Sequence, residues 1–464
     1  MWQFYLNNVN MVGIFLIIVS TISAVLILKF LYGGNDIYNF DRDYKNAKKE
    51  KYKGQKDIEG EHTEIGISSN KKPVYIPNNA KHIFCCGTTG SGKTVALANF
   101  IKSGIDYDYP MLIVDGKGDI GADSLLDITQ KLGVNRKVYV IDLNNPATCD
   151  KYNPFQNTSA DIIKDMLINM TRWSEEHYKL NTERYIQRLC YLLEMSDIVV
   201  SFESLIKYLP TSGLIELSLR LNKNSLITKE QHTENLNLAK VSGQITESAS
   251  ARFATIKESS LGQIFDEKGI DIYTAIKENA IILFILNPLL FPEMSPLIGN
   301  LIVIDSKKAI SNLYHNKKSR VFYILDEINV YASPSLLDLV NKSRSANTTC
   351  ILATQSLSDL DTISEQFKEQ IIENCNNYIV LRQNSSTNAE HWANVFGTRK
   401  SMQATYQVGG NKENTAGQGL GSLRPTREFI YHPDDIKSLT TGEAVFLSRD
   451  NKSLHTKIKV NKPF

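Results

Sequence analysis

The sequence has few cysteines and none of the spacings that bind zinc. Six cysteines are spread along 464 residues, with no C-x-x-C pair and no histidine cluster at ligand spacing. The sequence therefore predicts neither a zinc site nor disulfides, and we interpret the cysteines as buried, reduced thiols of a cytosolic domain. They are Cys85, Cys86, Cys149, Cys190, Cys350 and Cys375.

The chain also lacks a strong net charge of either sign. It carries 52 Lys and Arg against 50 Asp and Glu, a formal net charge of +2. A near-neutral protein can still present a local basic surface, so this balance neither requires nor excludes a nucleic-acid partner. With 42% hydrophobic and 22% charged residues, the chain can form two or three ordinary globular domains.

Charged residues are absent from the first 28 positions, and residues 11–28 form a mainly apolar run long enough to span a bilayer. A secretory signal peptide is the alternative, but no basic segment precedes the run and the cleavage signal after it is weak. Basic residues begin only at Lys29, which predicts an outside N-terminus and a cytoplasmic main body. We predict a single-pass anchor in the cytoplasmic (inner) membrane over residues 1–32 and a juxtamembrane linker over 33–62.

Residues 87–94 match the phosphate-binding loop G-x-x-x-x-G-K-[ST] at every constrained position. A predicted strand (His82–Cys86) precedes them and a predicted helix follows, as the motif requires. Lys93 is expected to reach the β- and γ-phosphates, and the Thr94 hydroxyl is expected to ligate Mg²⁺. The predicted ligands are ATP and Mg²⁺. The predicted nucleotide-binding residues are Gly87, Thr88, Thr89, Gly90, Ser91, Gly92, Lys93 and Thr94.

A second predicted strand, Val321–Leu325, leads directly to Asp326 and Glu327. A carboxylate at the carboxyl edge of a parallel sheet can hold the hydration shell of Mg²⁺, which is the role predicted for Asp326. Glu327 is placed to orient and deprotonate the attacking water. Asp115, at the end of a neighbouring predicted strand, is an alternative carboxylate. Gln355 follows the next strand, where its amide is expected to contact the γ-phosphate or the water.

Compact apolar runs alternate with helical segments, which predicts an α/β fold with a mostly parallel sheet covered on both faces by helices. The predicted nucleotide-binding domain covers residues 63–156 and 269–464, with an all-helical domain inserted over 157–268. We also expect a hairpin over Ile65–Ile76, a glycine-rich hairpin tip or loop over Gly409–Gly421, and short strands around 442–460.

Several segments together resemble the type IV coupling proteins of bacterial conjugation, the TraD/TraG family. These are GTTGSGKT (87–94), LIVDGKGD (112–119), YNPF (152–155), YILDEINVY (323–331), SRSAN (343–347), ILATQSLSDL (351–360), ENCNNYIVLRQN (373–384) and FIYHPDDIKSLTTGEAVF (429–446). The resemblance covers roughly residues 75–460. It implies a membrane-anchored, RecA-like P-loop ATPase, related to FtsK and HerA and usually hexameric. One departure is that many members have two membrane spans, whereas this chain has one.

The same resemblance implies partners and further site residues. A coupling protein recruits a relaxase–DNA complex with other relaxosome proteins and drives single-stranded DNA into a type IV secretion channel. The position of Arg344 matches the arginine that the family offers as a finger to a neighbouring subunit, with Arg382 as the competing candidate. The sequence leaves open whether Lys117, in Asp-Gly-Lys-Gly-Asp, is structural or contacts DNA.

Two other functions fit the same motifs. The first is an FtsK/HerA-like motor that translocates double-stranded DNA. The second is a docking receptor that uses ATP as a switch while other proteins perform the transport. Strand preference of the ATPase distinguishes the first, and the ratio of ATP consumed to DNA moved distinguishes the second.

Overall fold

The computed structural model describes residues 60–79, 81–170, 176–314, 320–406, 421–450 and 454–464, together with residues 20, 22, 23 and 55. Thirteen strands occur within them. They are β1 (His62–Ser68), β2 (Pro73–Pro77), β3 (His82–Cys86), β4 (Met111–Asp115), β5 (Val138–Asp142), β6 (Ile281–Ile285), β7 (Val321–Leu325), β8 (Thr348–Thr354), β9 (Cys375–Leu381), β10 (Thr398–Tyr406), β11 (Gly421–Phe429), β12 (Glu443–Ser448) and β13 (Leu454–Val460).

Eleven of these strands form one sheet in the order β2-β1-β13-β12-β9-β3-β8-β7-β4-β6-β5. The seven strands from β9 to β5 are parallel, and the remaining four extend the sheet as antiparallel strands. Every residue of β3, β4, β6, β7 and β8 is buried. Continuous apolar strands are expected where helices cover both faces of a parallel sheet, so the predicted α/β architecture is confirmed.

Fifteen α-helices accompany the strands in the described part of the chain. They are α1 (Lys93–Asp106), α2 (Leu125–Leu132), α3 (Ala160–Met170), α4 (Glu176–Met195), α5 (Phe202–Tyr208), α6 (Thr211–Lys223), α7 (Lys229–Val241), α8 (Gly243–Glu258), α9 (Ile272–Lys277), α10 (Met294–Leu313), α11 (Pro334–Ser343), α12 (Leu357–Asp361), α13 (Glu365–Asn374), α14 (Ser386–Phe396) and α15 (Pro433–Lys437). Short 3₁₀ helices cover Ser260–Ile264, Ile328–Tyr331 and Arg344–Ala346.

The strands predicted over His82–Cys86 and Val321–Leu325 are present as β3 and β7. β9 begins at Cys375, and its buried Asn377 donates from Nδ2 to Asp450 Oδ2 at 2.7 Å. In the region predicted to be helical, α7 and α8 are separated at Ser242. The hairpin predicted over Ile65–Ile76 is present as the antiparallel pair β1–β2.

Helices α3 to α8 occupy the region between β5 and β6 in which the sequence predicts an all-helical domain. This region belongs to the same compact unit as the eleven-stranded sheet, which comprises residues 54–397 and 431–464. The predicted domain boundaries at 157 and 268 stay a prediction. Two backbone hydrogen bonds join the beginning and the end of this region. The N–H groups of Tyr152 and Asn153 donate to the carbonyls of Ile264 and Ile270.

The second unit contains β10 and β11, which form a two-stranded antiparallel ribbon. Sequence patterns missed these strands because charged and polar residues interrupt their apolar positions. The glycine-rich tip predicted over Gly409–Gly421 lies outside the described residues, except for Gly421.

Among the described residues, no helix is both long and apolar enough to cross a membrane. Of the anchor predicted over 11–28, only residues 20, 22 and 23 are described.

Candidate nucleotide-binding site

The predicted site residues converge on the carboxyl edge of the parallel strands. Because neighbouring strands in the sheet are β9, β3, β8, β7 and β4, their ends bring five segments side by side. In that order they supply Arg382, the phosphate-binding loop, Gln355, Asp326 and Asp115. This edge of a parallel sheet is the usual position of ligand sites in α/β proteins.

The phosphate-binding loop runs from β3 into α1 and is held by its neighbours. The Gly87 N–H donates to the Thr354 carbonyl at 3.3 Å, and the Thr88 N–H donates to the Arg382 carbonyl at 3.1 Å. Gly92 has a φ of 105°, a backbone conformation that residues other than glycine rarely adopt. These constraints set the loop at the N-terminus of α1, where free N–H groups favour an anion.

Lys93 connects the loop to the two acidic residues after β7. Its Nζ donates to Glu327 Oε1 at 2.6 Å and lies 3.5 Å from Asp326 Oδ1. All three side chains are buried. Burial by itself lowers the pKa of Lys93, but the nearby carboxylates of Asp326 and Glu327 outweigh it, and the pKa is raised above its ordinary value. The ammonium group is therefore charged and available to phosphate oxygens.

Gln355 completes a network around Glu327. Its Nε2 donates to Glu327 Oε1 at 2.8 Å, and its Oε1 accepts from the Thr89 hydroxyl at 2.9 Å. Glu327 has a φ of 49° at the start of the 3₁₀ turn Ile328–Tyr331, so the chain bends sharply directly after the strand. The Tyr331 hydroxyl donates to the Asp326 carbonyl at 2.9 Å and fixes this bend. The amide of Gln355 thus links the loop to the predicted general base.

Asp115, the alternative carboxylate, is buried at the end of β4, the strand next to β7. Burial, and then the neighbouring Asp326 carboxylate, raise the pKa of Asp115 to about 7. Its Oδ1 accepts from the Lys117 N–H at 2.8 Å. The Lys117 ammonium lies 3.5 Å from Asp326 Oδ2 and 3.5 Å from Glu327 Oε1. The sequence left open whether Lys117 is structural or contacts DNA. Its position two residues after the end of β4 is the signal that could have placed it at this edge of the sheet.

The residues present fit a nucleotide with Mg²⁺. Two buried oxygens, Ser91 Oγ and Asp326 Oδ1, have no hydrogen-bond partner among the described residues. Buried oxygens of this kind are normally satisfied, so each can accept a ligand. Thr94 lies in the first turn of α1 and is partly exposed. A carboxylate and a hydroxyl are ligands that Mg²⁺ prefers, and Lys93 supplies the cation for phosphate.

Arg344 is the predicted site residue that the fold does not bring to this edge. It is exposed in the 3₁₀ turn that precedes β8, whereas Gln355 follows the same strand. At about 3.3 Å per residue, the seven residues of β8 separate the two by roughly 20 Å. Arg344 therefore cannot reach the nucleotide site of its own chain, whereas Arg382 lies beside it.

One segment of the chain matches a known protein family. Residues 320–441, which contain Asp326, Glu327 and Gln355, match the family model described as the TraM recognition site of TraD and TraG. Over this segment the chain is similar to the coupling proteins TraD and TraG. An uncharacterized protein of Mycoplasma pneumoniae is 34% identical over 101 residues, which are 22% of this chain and 67% of that protein.

Solved structures of a conjugative coupling protein and of VirB4 share the fold. The conjugative coupling protein TrwBΔN70 superposes with a TM-score of 0.59 at 15% identity, over 88% of this chain and 90% of that chain. TrwB in complex with ADP and Mg²⁺ gives 0.57 at 16% identity, over 86% and 89%. VirB4 of Thermoanaerobacter pseudethanolicus gives 0.54 at 12% identity, over 88% and 98%. The chain thus has a TrwB-type, RecA-like α/β fold.

Proposed function

We propose that this chain is a membrane-anchored, ATP-hydrolysing coupling protein of the TraD/TraG type. It recruits a relaxase–DNA complex and drives single-stranded DNA into a type IV secretion channel. The observation that carries the proposal is the convergence of Lys93, Asp326, Glu327 and Gln355 within hydrogen-bond or ion-pair distance at one edge of the sheet. The crystallised complex of TrwB with ADP and Mg²⁺ supports the same ligands for this chain.

Each residue has a chemical role in this proposal. Lys93 leaves the Glu327 carboxylate and neutralises phosphate charge, and Glu327 then orients the water and accepts its proton. Gln355 contacts both Glu327 and the phosphate-binding loop, so it can transmit the state of the phosphates. When bound, Mg²⁺ would be held by Thr94 and Asp326 and would reduce the negative charge of the phosphates.

The proposal also includes where the protein is located and how it assembles. The uncharged run at 11–28 anchors the protein in the cytoplasmic membrane, with the nucleotide site exposed to cellular ATP. The proposed active form is a ring, most simply a hexamer, in which Arg344, too far from its own site to act there, would complete the site of a neighbouring subunit. Partners are DNA, the relaxase with other relaxosome proteins, and components of the secretion channel.

DNA-stimulated ATP turnover by the detergent-solubilised full chain tests this function. Single-stranded DNA is expected to raise turnover more than double-stranded DNA, and Lys93→Ala should remove both basal and stimulated turnover because nucleotide binding is lost. Preferential stimulation by double-stranded DNA would favour the FtsK/HerA-like motor. Tight binding of a relaxase without any DNA-stimulated turnover would favour the ATP-switched receptor.

A subunit-mixing experiment tests Arg344 as the residue that completes a neighbour's site. Arg344→Ala and Lys93→Ala subunits are each expected to be inactive alone and to regain activity when mixed. In a random 1:1 ring, about one quarter of the interfaces pair an intact phosphate-binding loop with an intact arginine. Turnover of the mixture, with co-assembly measured in parallel, checks this expectation.

The matched control uses Arg382, which lies beside the loop in the same chain. If the Arg344→Ala mixture co-assembles but stays inactive, while Arg382→Ala recovers with Lys93→Ala, the trans-acting arginine is Arg382. If neither mixture recovers, no arginine of these two acts across the interface.

A further inference from the structure

Two ammonium groups lie beside the two acidic residues after β7. Lys93 Nζ contacts Asp326 Oδ1 and Glu327 Oε1, at 3.5 and 2.6 Å. Lys117 Nζ lies 3.5 Å from Asp326 Oδ2 and 3.5 Å from Glu327 Oε1. The two buried carboxylates are thus matched by two positive charges, as buried charges require.

The loop that carries Lys117 is built against these carboxylates. The Lys117 N–H donates to Asp115 Oδ1 at 2.8 Å. Any side chain at Gly116 would collide with the acidic pair, because an added Cβ would lie 2.7 Å from Glu327 Cβ and 2.9 Å from the Asp326 carbonyl. The Lys117 side chain is 33% exposed, in contrast to 4% for Lys93, so it alone has a direct route to solvent.

The two lysines are therefore suited to different tasks. When a nucleotide is bound, Lys93 would turn toward the phosphates, which would leave Asp326 and Glu327 with one fewer positive charge. Lys117 stands beside Asp326, the carboxylate assigned to Mg²⁺, and both cations cannot occupy the same position. A lysine ammonium is a mobile point charge on a flexible stem, so it can withdraw to solvent when a divalent cation arrives.

We propose that Lys117 is a positioning residue that occupies the cation position beside Asp326 and Glu327 in the nucleotide-free protein and yields it to Mg²⁺ when nucleotide binds. This inference rests on the proposed nucleotide site and adds a regulatory step to it. Exchange of the cation would free the Lys117 side chain from the acidic pair while Asp115 still holds the Lys117 N–H.

The test is a Mg²⁺ titration of the detergent-solubilised full chain with a fluorescent ADP analogue bound. Lys117→Met keeps the length of the stem and removes the competing charge. It is expected to lower the Mg²⁺ concentration for half-maximal signal about fivefold, the range for a partly exposed ion pair. Lys117→Arg, which keeps the charge, should stay within about twofold of wild type. Affinity for the analogue without Mg²⁺ should change little in either variant.

Other outcomes separate the competing roles. An unchanged or higher Mg²⁺ midpoint in Lys117→Met overturns the proposal. A large loss of metal-free affinity with no change in the Mg²⁺ midpoint assigns Lys117 to the phosphates and also overturns it. If wild type binds no analogue with or without Mg²⁺, the proposed function itself fails. Should Lys117→Met be insoluble, Lys117→Gln also removes the charge and carries the same test.

Discussion

Replacing Glu327 with Gln is expected to lower ATP turnover by about 10²- to 10⁴-fold, because the change removes the proposed general base. Glutamine has almost the same shape, and its amide oxygen can still accept from Lys93 and Gln355. The contact with Lys93, which is 2.6 Å in the buried pair, becomes weaker without the negative charge. Nucleotide affinity should therefore hold or rise while hydrolysis is lost, which marks a defect in the transition state alone.

Two measurements check this expectation: binding of a fluorescent ATP analogue and steady-state phosphate release. Asp115→Asn is the matched control, because Asp115 is also a buried carboxylate at the end of a neighbouring strand, and asparagine keeps the oxygen that accepts from the Lys117 N–H. Turnover of the control should stay within several-fold of wild type. Normal turnover in Glu327→Gln would show that the base is another residue, with Asp115 next to be tested as the base and Gln355 as the residue that orients the water.

Replacing Lys308 with Met is expected to destabilise the protein by about 3–5 kcal/mol, because it leaves two buried carboxylates without their cation. Lys308 Nζ lies 2.9 Å from Asp271 Oδ2 and 2.8 Å from Asp305 Oδ1, and all three side chains are at most 1% exposed. It also donates to the carbonyls of Pro154 and Gln156 at 2.8 and 2.7 Å. The network joins both ends of the helical region to α10.

Lys307→Met is the matched control for this change. Lys307 is the adjacent residue on α10 and pairs with Asp338 at 2.9 Å, but both side chains are one-third to one-half exposed. Such pairs contribute at most about 1 kcal/mol, so the control should unfold close to wild type. Urea or thermal unfolding midpoints compare the two variants. Equal midpoints for Lys308→Met and Lys307→Met would show that the buried network does not stabilise the fold as argued.

Much of the nucleotide site follows from short-range signals. The glycines and Gly-Lys-Thr of residues 87–94 impose a loop at a helix N-terminus, and the apolar runs His82–Cys86 and Val321–Leu325 are too continuous to be half-exposed strands. Because parallel strands end at one edge of the sheet, these signals also predict that Lys93 and Asp326 meet. In the structure Lys93 Nζ lies 3.5 Å from Asp326 Oδ1, and their roles toward a nucleotide stay a prediction.

Other features depend on contacts between distant parts of the chain. Lys117 lies more than 200 residues before Glu327 in sequence, and only the order of strands β8, β7 and β4 places Lys117 and Gln355 around the same carboxylate. The buried Asn377 of β9 donates from Nδ2 to Asp450 Oδ2 at 2.7 Å, a partner that no local pattern reveals. Local residue patterns specify the strands, the helices and the phosphate-binding loop. The tertiary structure alone determines which polar groups share a buried site, because burial makes each charge depend on partners from other elements.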